Sequence, residues 1–541
     1  MGLDYIIYGI FGFVFLLLLA WRFQGQGADT YGSASWLTIW QAYGSRLFKR
    51  NGLLVGNWPL ASGLGVHYQG THAVTFGASG SGKGTCAILP NLLSYPYIFL
   101  VDPGGENTAV AARYWRKSGH EFGCINVFGM HGEAPWAVPA HGFNPLDFLD
   151  TGSMSFAADA LLFAEMLTPR SGHENGSNSY FKDAAQTAKR AMLIHIKTTE
   201  PAARHNLSRL YEYVNSDAAN WESLLASMKA NQVCGGLVAR EAIKLERIEA
   251  QAPEEFSAIM STIQQDLSFL ADPLVREKLS QSDVDFAVLK GLGEHSKGGI
   301  ISVVLPLEYI ESHAAITRLA LACAVLELQR APLAREQVLF LIDEAAALGK
   351  LLRFPNWLAT LRKYRVTIWS IWQNIGQLVH LYDKNWQTII GNCGLVQILS
   401  VGDLETAEYA EKLLGRTTTE SVSVNHKGER TRSQTARALA MADEIRRMDR
   451  GLQVALIGNL RPAILQKTPY WKQGALRGRY HPNPYYGGKT PGPGLGAPFA
   501  TLQTAILRLL IFWLAPHPVA ACTVCAAIVG AGLALFGGGA F

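Results

Sequence analysis

The stretch His72-Ala-Val-Thr-Phe-Gly-Ala-Ser-Gly-Ser-Gly-Lys-Gly-Thr85 decides which kind of fold this chain adopts. A short apolar run ends at Gly77, the pattern G-x-x-x-x-G-K follows, and a helix is expected from Cys86 onward. Glycines at these places let backbone N–H groups turn toward phosphate oxygens, and Lys83 reaches the β- and γ-phosphates. The N-terminus of the following helix favours the same anion. The stretch therefore predicts a nucleoside triphosphate site in an α/β domain.

The predicted phosphate loop departs from the usual pattern at the residue after the lysine. Ser or Thr normally stands there to hold Mg²⁺, but this chain has Gly84, and the hydroxyl follows one residue later on Thr85. Two arrangements remain open: Thr85 reaches the metal, or the metal is held through water and an acidic strand. The predicted nucleotide-binding residues are Gly77, Ala78, Ser79, Gly80, Ser81, Gly82, Lys83, Gly84 and Thr85.

A second motif, Val338-Leu-Phe-Leu-Ile-Asp-Glu344, has the pattern of a buried strand that ends in two carboxylates. Asp343 is predicted to bind Mg²⁺, because a hard cation prefers oxygen ligands. Glu344 is predicted to orient and activate the attacking water, with Lys83 as its catalytic partner on the phosphates. The chain contains no Asn-Lys-x-Asp motif for guanine. The two motifs together predict an ATPase with ATP and Mg²⁺ as cofactors.

Composition indicates a chain of several parts with a membrane component. A length of 541 residues suggests two or three domains, and 49% hydrophobic against 17% charged residues leans toward a membrane protein. The formal charge of +5 is too small to indicate a nucleic-acid partner by itself.

Two segments are predicted to lie in a membrane. Residues 5–21 are nearly all apolar and are expected to form a retained span. The basic residues that follow it predict a cytoplasmic body and a periplasmic N-terminus; they are Arg22, Arg46, Lys49 and Arg50. Residues 519–536 are a second candidate span, and the favoured interpretation adds an interfacial helix at 502–515. A membrane hairpin, a single span and a buried soluble helix pair remain alternatives.

The body of the chain alternates strand-like runs with one long helical section. The strand-like runs are expected at residues 97–102, 125–128, 300–305, 338–342, 366–371 and 395–401. Residues 156–280 carry helical spacing instead, so the fold class is predicted to be α/β, with a parallel P-loop motor domain interrupted by an all-α insertion. The domain bounds are a membrane anchor with linker at 1–50, motor parts at 51–150 and 291–475, the insertion at 151–290, a Pro/Gly-rich linker at 476–500 and a membrane-associated tail at 501–541.

Between about Gly70 and Arg461 the chain resembles the type IV coupling proteins, the TraG-type conjugative ATPases of type IV secretion systems. The resemblance rests on six further stretches in the order in which the family has them. They are Pro90-Asn-Leu-Leu93, Val101-Asp-Pro-Gly-Gly-Glu-Asn107, Phe143-Asn-Pro-Leu-Asp147, Tyr180-Phe-Lys-Asp-Ala-Ala185, Ser370-Ile-Trp-Gln-Asn-Ile-Gly-Gln-Leu378 and Leu413-Leu-Gly-Arg-Thr417.

The resemblance implies a homohexamer in the bacterial inner membrane, with a RecA-like motor and an all-α domain that recognises cargo. Such proteins receive relaxase-bound single-stranded DNA or effector proteins and pass them to the type IV secretion channel. It also implies that Gln373 senses the γ-phosphate. Three departures stand out: Gly104 occupies a position where the family often has lysine, one N-terminal span is visible where the family typically has two, and the C-terminal tail is atypical.

Ring motors need an arginine that reaches the neighbouring subunit's γ-phosphate, and Arg362, Arg365 and Arg416 are the candidates. Residues 350–353, Lys-Leu-Leu-Arg, are either a pore loop that holds DNA phosphates or a solvated face. A basic group near the end of the motor could meet DNA, anionic lipid or neither; it comprises Arg446, Arg447, Arg450, Arg461, Lys467 and Lys472.

Four functions are compatible with these features. The first is an ATPase that couples hydrolysis to DNA delivery, and the second is the same motor serving effector proteins alone. The third, a septal DNA translocase, predicts several N-terminal spans and a C-terminal winged helix, and the sequence shows neither. The fourth is a scaffold whose ATP site controls assembly, against which the intact Lys83, Asp343 and Glu344 argue.

Overall fold

The structure, a computed structural model, describes residues 30–59, 61–172, 176–424 and 430–486. Both predicted membrane spans, 5–21 and 519–536, lie outside these residues. Within the described ranges, no helix is both long and apolar enough to cross a membrane.

The strands of the described chain are labelled in chain order. They are β1 (Leu53–Trp58), β2 (Ala61–Tyr68), β3 (His72–Phe76), β4 (Tyr97–Pro103), β5 (Glu121–Ile125), β6 (Gly299–Leu305), β7 (Val338–Ile342), β8 (Val366–Trp372), β9 (Cys393–Ile398), β10 (Arg416–Val424), β11 (Arg430–Ala438), β12 (Leu452–Ile457) and β13 (Ala463–Gln466).

The α-helices are labelled in the same way. They are α1 (Ile39–Gly44), α2 (Leu89–Leu92), α3 (Glu106–Lys117), α4 (Phe156–Met166), α5 (Gly176–Thr199), α6 (Leu207–Val214), α7 (Ala218–Ala230), α8 (Val233–Gln251), α9 (Pro253–Asp266), α10 (Pro273–Lys278), α11 (Ala314–Gln329), α12 (Phe354–Thr360), α13 (Ile375–Tyr382), α14 (Trp386–Gly391), α15 (Leu404–Leu414) and α16 (Ala442–Arg446).

Eleven of these strands form one mixed sheet in the order β2-β1-β13-β12-β9-β3-β8-β7-β4-β6-β5. The seven strands from β9 to β5 pair in parallel. The remaining four add in antiparallel register. The expectation of a parallel sheet is therefore correct for the centre and wrong for one side. Glycines at positions 56, 63 and 65 weaken the strand pattern of β1 and β2, which hides them in the sequence.

Every regular element between β5 and β6 in the described chain is helical, from α4 through α10 with short 3-10 turns. The helical spacing expected over residues 156–280 agrees with this run of helices. A strand expected at 125–128 instead runs from Glu121 to Ile125, because the chain turns away at Asn126, whose side chain bonds backbone groups of its own loop.

The sheet is buried on both faces, as an all-apolar central strand requires. On one face, Val74 and Phe99 share a core with Phe163 of α4 and Leu193 of α5. On the other face, Ala73 and Ile98 pack with α2, α3 and the segment around Tyr470. Successive residues of β3 point to opposite cores, which is the two-residue period of a strand.

The strands β10 and β11 form a separate antiparallel hairpin. The stretch Leu413–Thr417 named above runs from the end of α15 into the first two residues of β10, and Thr417 pairs with Ser33 from the start of the described chain. The hairpin was not anticipated, since its strands are rich in Thr, Ser and Arg and lack an apolar face.

The start of the predicted linker is part of the folded body. The His481 N–H bonds the Val110 carbonyl of α3 (2.9 Å), and Trp136 Nε1 donates to the Pro482 carbonyl (2.7 Å). Tyr485 Oη donates to the Gly104 carbonyl (2.7 Å). Residues 481–486 of the predicted linker at 476–500 therefore pack on the folded body, through contacts that composition alone does not reveal, and residues 487–500 lie outside the described residues.

Candidate nucleotide-binding site

The candidate site lies where four neighbouring parallel strands end. The phosphate loop follows β3, Gln373 follows β8, and Asp343 and Glu344 follow β7. Asp102 is near the end of β4. Ligands of open α/β sheets bind outside the carboxyl ends of parallel strands, so the topology itself brings these separated motifs to one cleft.

The backbone of the phosphate loop takes the form that its glycines allow. Gly80 and Gly82 have positive φ angles of 73° and 90°, which other residues rarely adopt. A side chain on Gly77 would collide with Ser81, since its Cβ would lie 2.7 Å from Ser81 Oγ. No backbone carbonyl of the described chain accepts from the N–H groups of Ser79, Gly80 or Gly82. These groups are available to an anion.

The helix after the loop begins as a π-helical turn, Lys83–Ile88, and continues as α2. Wide turns of this kind are rare and cluster at functional sites. In the first turn, Thr85 Oγ1 contacts Cys86 Sγ at 3.5 Å.

Lys467 holds the phosphate loop through a hydrogen bond to its backbone. Its ammonium donates to the Ser81 carbonyl (2.9 Å) and to Ser400 Oγ (2.8 Å), and burial lowers its pKa. The sequence analysis placed Lys467 in a basic group that could meet DNA, anionic lipid or neither, and burial at 7% exposure favours neither for this residue. Its role arises from the position of β13 in the sheet, which no local pattern of the sequence signals.

Lys83 and Glu344 meet in the cleft, with Lys83 Nζ 3.8 Å from Glu344 Oε2. The other oxygen of Glu344 accepts from Gln373 Nε2 at 3.0 Å and from Gln377 Nε2 at 3.4 Å. The predicted catalytic residues Lys83 and Glu344 and the predicted γ-phosphate sensor Gln373, which the prediction also counts as catalytic, therefore lie together. Gln377 was missed, although it lies in the quoted stretch Ser370–Leu378; its Oε1 accepts from the Gln373 backbone N–H at 2.9 Å.

Glu344 stands in a strained backbone conformation, with φ 55° and ψ 55°. A glutamate in the left-handed region is uncommon and costs energy, and such strain concentrates at active sites. Here it turns the carboxylate out of the line of β7 and toward Lys83.

Two carboxyl groups and one amide line the floor of the cleft. Asn107 Nδ2 donates to Asp102 Oδ1 at 2.9 Å and to Asp343 Oδ2 at 3.4 Å. Desolvation, reinforced by Asp102, raises the pKa of Asp343 to about 7. Desolvation also raises the pKa of Asp102 to about 6, against the hydrogen bonds from Thr108 and Asn107. A nearby cation would favour the ionised form of both carboxyl groups.

The candidate arginines lie on the surface. Arg362 and Arg365 precede β8, so they are at the opposite edge of the sheet from the phosphate loop of their own subunit. Arg365 donates to the Arg335 carbonyl. Arg416 opens the hairpin and is exposed. None of the three contacts the described residues of the site in one subunit.

The basic segment 350–353 is only partly available to DNA. Leu351 is buried at 3% exposure, and Arg353 Nη2 bonds Glu165 Oε1 of α4 at 2.9 Å. The buried Arg318 bonds the Met166 carbonyl (2.7 Å) and the Leu348 carbonyl (3.3 Å). The segment after the acidic strand is therefore tied to the helical section. A solvated face does not fit the buried Leu351, and the pore loop that holds DNA phosphates stays a prediction.

The sheet order, the phosphate loop and the carboxylates of β7 fit a RecA-like nucleotide-binding motor. The chain belongs to the family of type IV secretory system conjugative DNA transfer proteins, whose sequence pattern matches residues 32–493.

Individual relatives carry corresponding names. The chain is 24% identical over 435 residues to the type IV secretion system-coupling protein VirD4 of Bartonella quintana, covering 73% of this chain and 64% of the relative. It is 26% identical over 428 residues to the conjugal transfer protein TraG of Escherichia coli, again covering 73% and 64%. The match thus spans just under two thirds of each relative's length.

Solved structures support the same fold. The bacterial conjugative coupling protein TrwBdeltaN70 superimposes with a TM-score of 0.60 at 16% identity, covering 82% of this chain and 96% of that chain. The plasmid coupling protein TrwB in complex with ADP and Mg²⁺ gives a TM-score of 0.58 at 16% identity, covering 81% and 94%.

Proposed function

We propose that this protein is an ATPase that couples ATP hydrolysis to the delivery of relaxase-bound single-stranded DNA to a type IV secretion channel. The observation that carries the proposal is the meeting of Lys83, Glu344 and Gln373 at the ends of adjacent strands in a chain of this family.

The cleft fits ATP with Mg²⁺. The unengaged N–H groups of the loop and the buried Ser81 Oγ, which has no partner in the described chain, provide donors for phosphate oxygens. The carboxylate of Asp343 is an oxygen ligand suited to Mg²⁺, and Thr85 and Asn107 compete for the role of a second protein ligand. Bound Mg²⁺ would neutralise charge between the phosphates.

Each catalytic side chain has a distinct task. Lys83 leaves its ion pair with Glu344 and binds the β- and γ-phosphates. This releases the carboxylate to accept a proton from the attacking water. Gln373 and Gln377 hold Glu344 through one oxygen and leave the other free for the water. Gln373 also senses the γ-phosphate, because the hydrogen bonds of the Gln373 side chain would change when the γ-phosphate is lost.

The finer architecture forms part of the proposal. The protein would act as a homohexamer on the bacterial inner membrane, anchored by the segments 5–21 and 519–536, with its body in the cytoplasm and its N-terminus in the periplasm. One of Arg362, Arg365 and Arg416 would reach the neighbouring subunit's γ-phosphate. Arg362 and Arg365 suit this role, because they lie far from the site of their own subunit and are exposed.

The helical residues 151–290 are proposed to form the inserted domain that recognises cargo. Arg353 and Arg318 connect this section to the chain that follows the Asp343–Glu344 pair, so cargo on the helices can influence hydrolysis. The second candidate cargo is an effector protein, which would use the same connection.

The test is transfer from cells that carry the wild-type chain, Lys83→Ala or Glu344→Gln. We expect DNA transfer to be lost in both variants, with normal protein levels in the membrane. If both variants transfer DNA as well as wild type, the motor proposal is wrong. If the wild type transfers a secreted protein but no DNA, the cargo is protein.

A further inference from the structure

The phosphate loop lacks the hydroxyl that such loops use to hold Mg²⁺, and the structure places another oxygen beside the gap. A Cβ built on Gly84 would have one neighbour within 4 Å, namely Asn107 Oδ1 at 3.4 Å. The hydroxyl of a Ser or Thr at this position would therefore extend into the space that Asn107 Oδ1 borders.

Asn107 is fixed in the first turn of α3 and is only 4% exposed. Asp102 accepts hydrogen bonds from the backbone N–H groups of Asn107 (3.3 Å) and Thr108 (2.6 Å), so its oxygens act as acceptors. The amide nitrogen of Asn107 must then face Asp102, which directs Oδ1 toward the loop. In the described chain this buried Oδ1 has no hydrogen-bond partner.

A buried amide oxygen without a partner is rare in folded proteins and calls for an explanation. A bound cation supplies one, since amide oxygens are among the hard ligands that Mg²⁺ and Mn²⁺ accept. The same side chain donates to Asp343, the carboxylate predicted to face the metal. Asn107 thus joins the phosphate loop, β4 and β7 at one point.

Thr85 is the competing source of oxygen. A Cβ built on Gly82 would lie 3.7 Å from the hydroxyl oxygen of Thr85. The same hydroxyl contacts Cys86 Sγ. The Asn107 side chain borders Gly84 and also donates to Asp343.

We propose that Asn107 Oδ1 replaces the missing hydroxyl as an oxygen ligand of the nucleotide-bound Mg²⁺. This inference rests on the proposed function, because it requires that the cleft bind a nucleotide with a divalent cation. It adds a metal ligand that the loop sequence does not contain, and it assigns Thr85 no direct bond to the metal.

The direct test uses Mn²⁺ and ADP as probes on the 541-residue chain purified in detergent. The chain is labelled with ¹³C at the asparagine side-chain carbonyl, and Mn²⁺ is observed by electron–nuclear double resonance. We expect a resolved ¹³C coupling in the Mn²⁺–ADP complex that is absent from unlabelled protein. A bound Mn²⁺–ADP complex without ¹³C coupling would overturn the inference, and this readout needs no substitution.

Variants provide an independent measurement. Asn107→Ala is expected to weaken Mn²⁺ binding in the presence of ADP by roughly tenfold or more, and to leave ADP affinity in EDTA unchanged. Adding Gly84→Ser to Asn107→Ala should restore Mn²⁺ binding, because the hydroxyl enters the space that Asn107 vacates. Thr85→Val tests the competing ligand: this inference expects the variant to keep Mn²⁺ binding, and a loss confined to this variant would identify Thr85 as the ligand.

The outcomes separate this inference from the proposed function. If the wild type binds ADP neither with Mn²⁺ nor in EDTA, the proposed function fails and this inference fails with it. If ADP binding is metal-dependent but Thr85→Val loses it and Asn107→Ala keeps it, only the inference fails and Thr85 is the ligand.

Discussion

The response of Mg²⁺–nucleotide binding to pH follows from the surroundings of Asp343. Desolvation and the neighbouring Asp102 raise the pKa of the Asp343 carboxyl to about 7, while Lys83 acts in the opposite direction. Mg²⁺ binds the ionised carboxylate and displaces its proton, so affinity must rise with pH through this range and level off above it.

The size of the effect can be worked out from that pKa. With a value of about 7, roughly nine tenths of the Asp343 carboxyl groups are ionised at pH 8 and roughly one tenth at pH 6. We therefore expect the affinity for Mg²⁺ in the presence of ADP to fall about tenfold from pH 8 to pH 6. The Asp102 carboxyl, with a pKa of about 6, adds a smaller loss at the acid end of this range.

The assay is a titration of Mg²⁺ into protein with a fluorescent ADP, at constant ionic strength and at several pH values. Asp343→Asn is the control, because it keeps the shape of the side chain and has no proton to displace. The β-phosphate of ADP and the Asp102 carboxyl also titrate near pH 6, and the variant reports these two contributions without that of Asp343. An Asp343→Asn variant with the same pH dependence as wild type would refute the reasoning.

Three further substitutions probe contacts around the site. Lys467→Met removes the donor to the Ser81 carbonyl. We expect ADP binding to weaken by about 1–2 kcal/mol in equilibrium titrations. An unchanged ADP affinity would contradict the supporting role of Lys467. Glu165→Gln weakens the ion pair with Arg353; basal ATP hydrolysis should persist while its response to cargo falls, and an intact response would exclude this route. Tyr485→Phe removes the bond to the Gly104 carbonyl, worth about 1 kcal/mol, so limited proteolysis near 481–486 should accelerate, and an unchanged cleavage rate would argue against docking.

The centre of the sheet could be predicted because its strands are short apolar runs that are followed directly by the phosphate loop or by polar site residues. β3, β7 and β8 are buried on every residue, and such runs are readily recognised in a sequence. The antiparallel strands β12 and β13 were not anticipated, since nothing in their short runs signals which strand they join. Pairing between distant segments is set by the packed sheet and not by local propensity.

The candidate site likewise contains some residues that the sequence could predict and others that it could not. Lys83, Asp343 and Glu344 belong to motifs whose spacing indicates their chemistry, and the structure brings them together. Lys467 and Asn107 gain their roles from contacts with residues that are distant in the sequence. Lys467 donates to the Ser81 carbonyl, and Asn107 donates to Asp343. A lysine after a short apolar run and an asparagine in a helix look ordinary in the sequence.

The most direct test of the central claim is ATP hydrolysis by the purified chain in detergent, with and without single-stranded DNA, beside Glu344→Gln. The account expects hydrolysis that increases with DNA and disappears in the variant, while the variant still binds ATP. Hydrolysis that persists in Glu344→Gln would contradict the assigned chemistry. A wild-type chain that binds ATP but hydrolyses none, with or without DNA, would contradict the account of a motor.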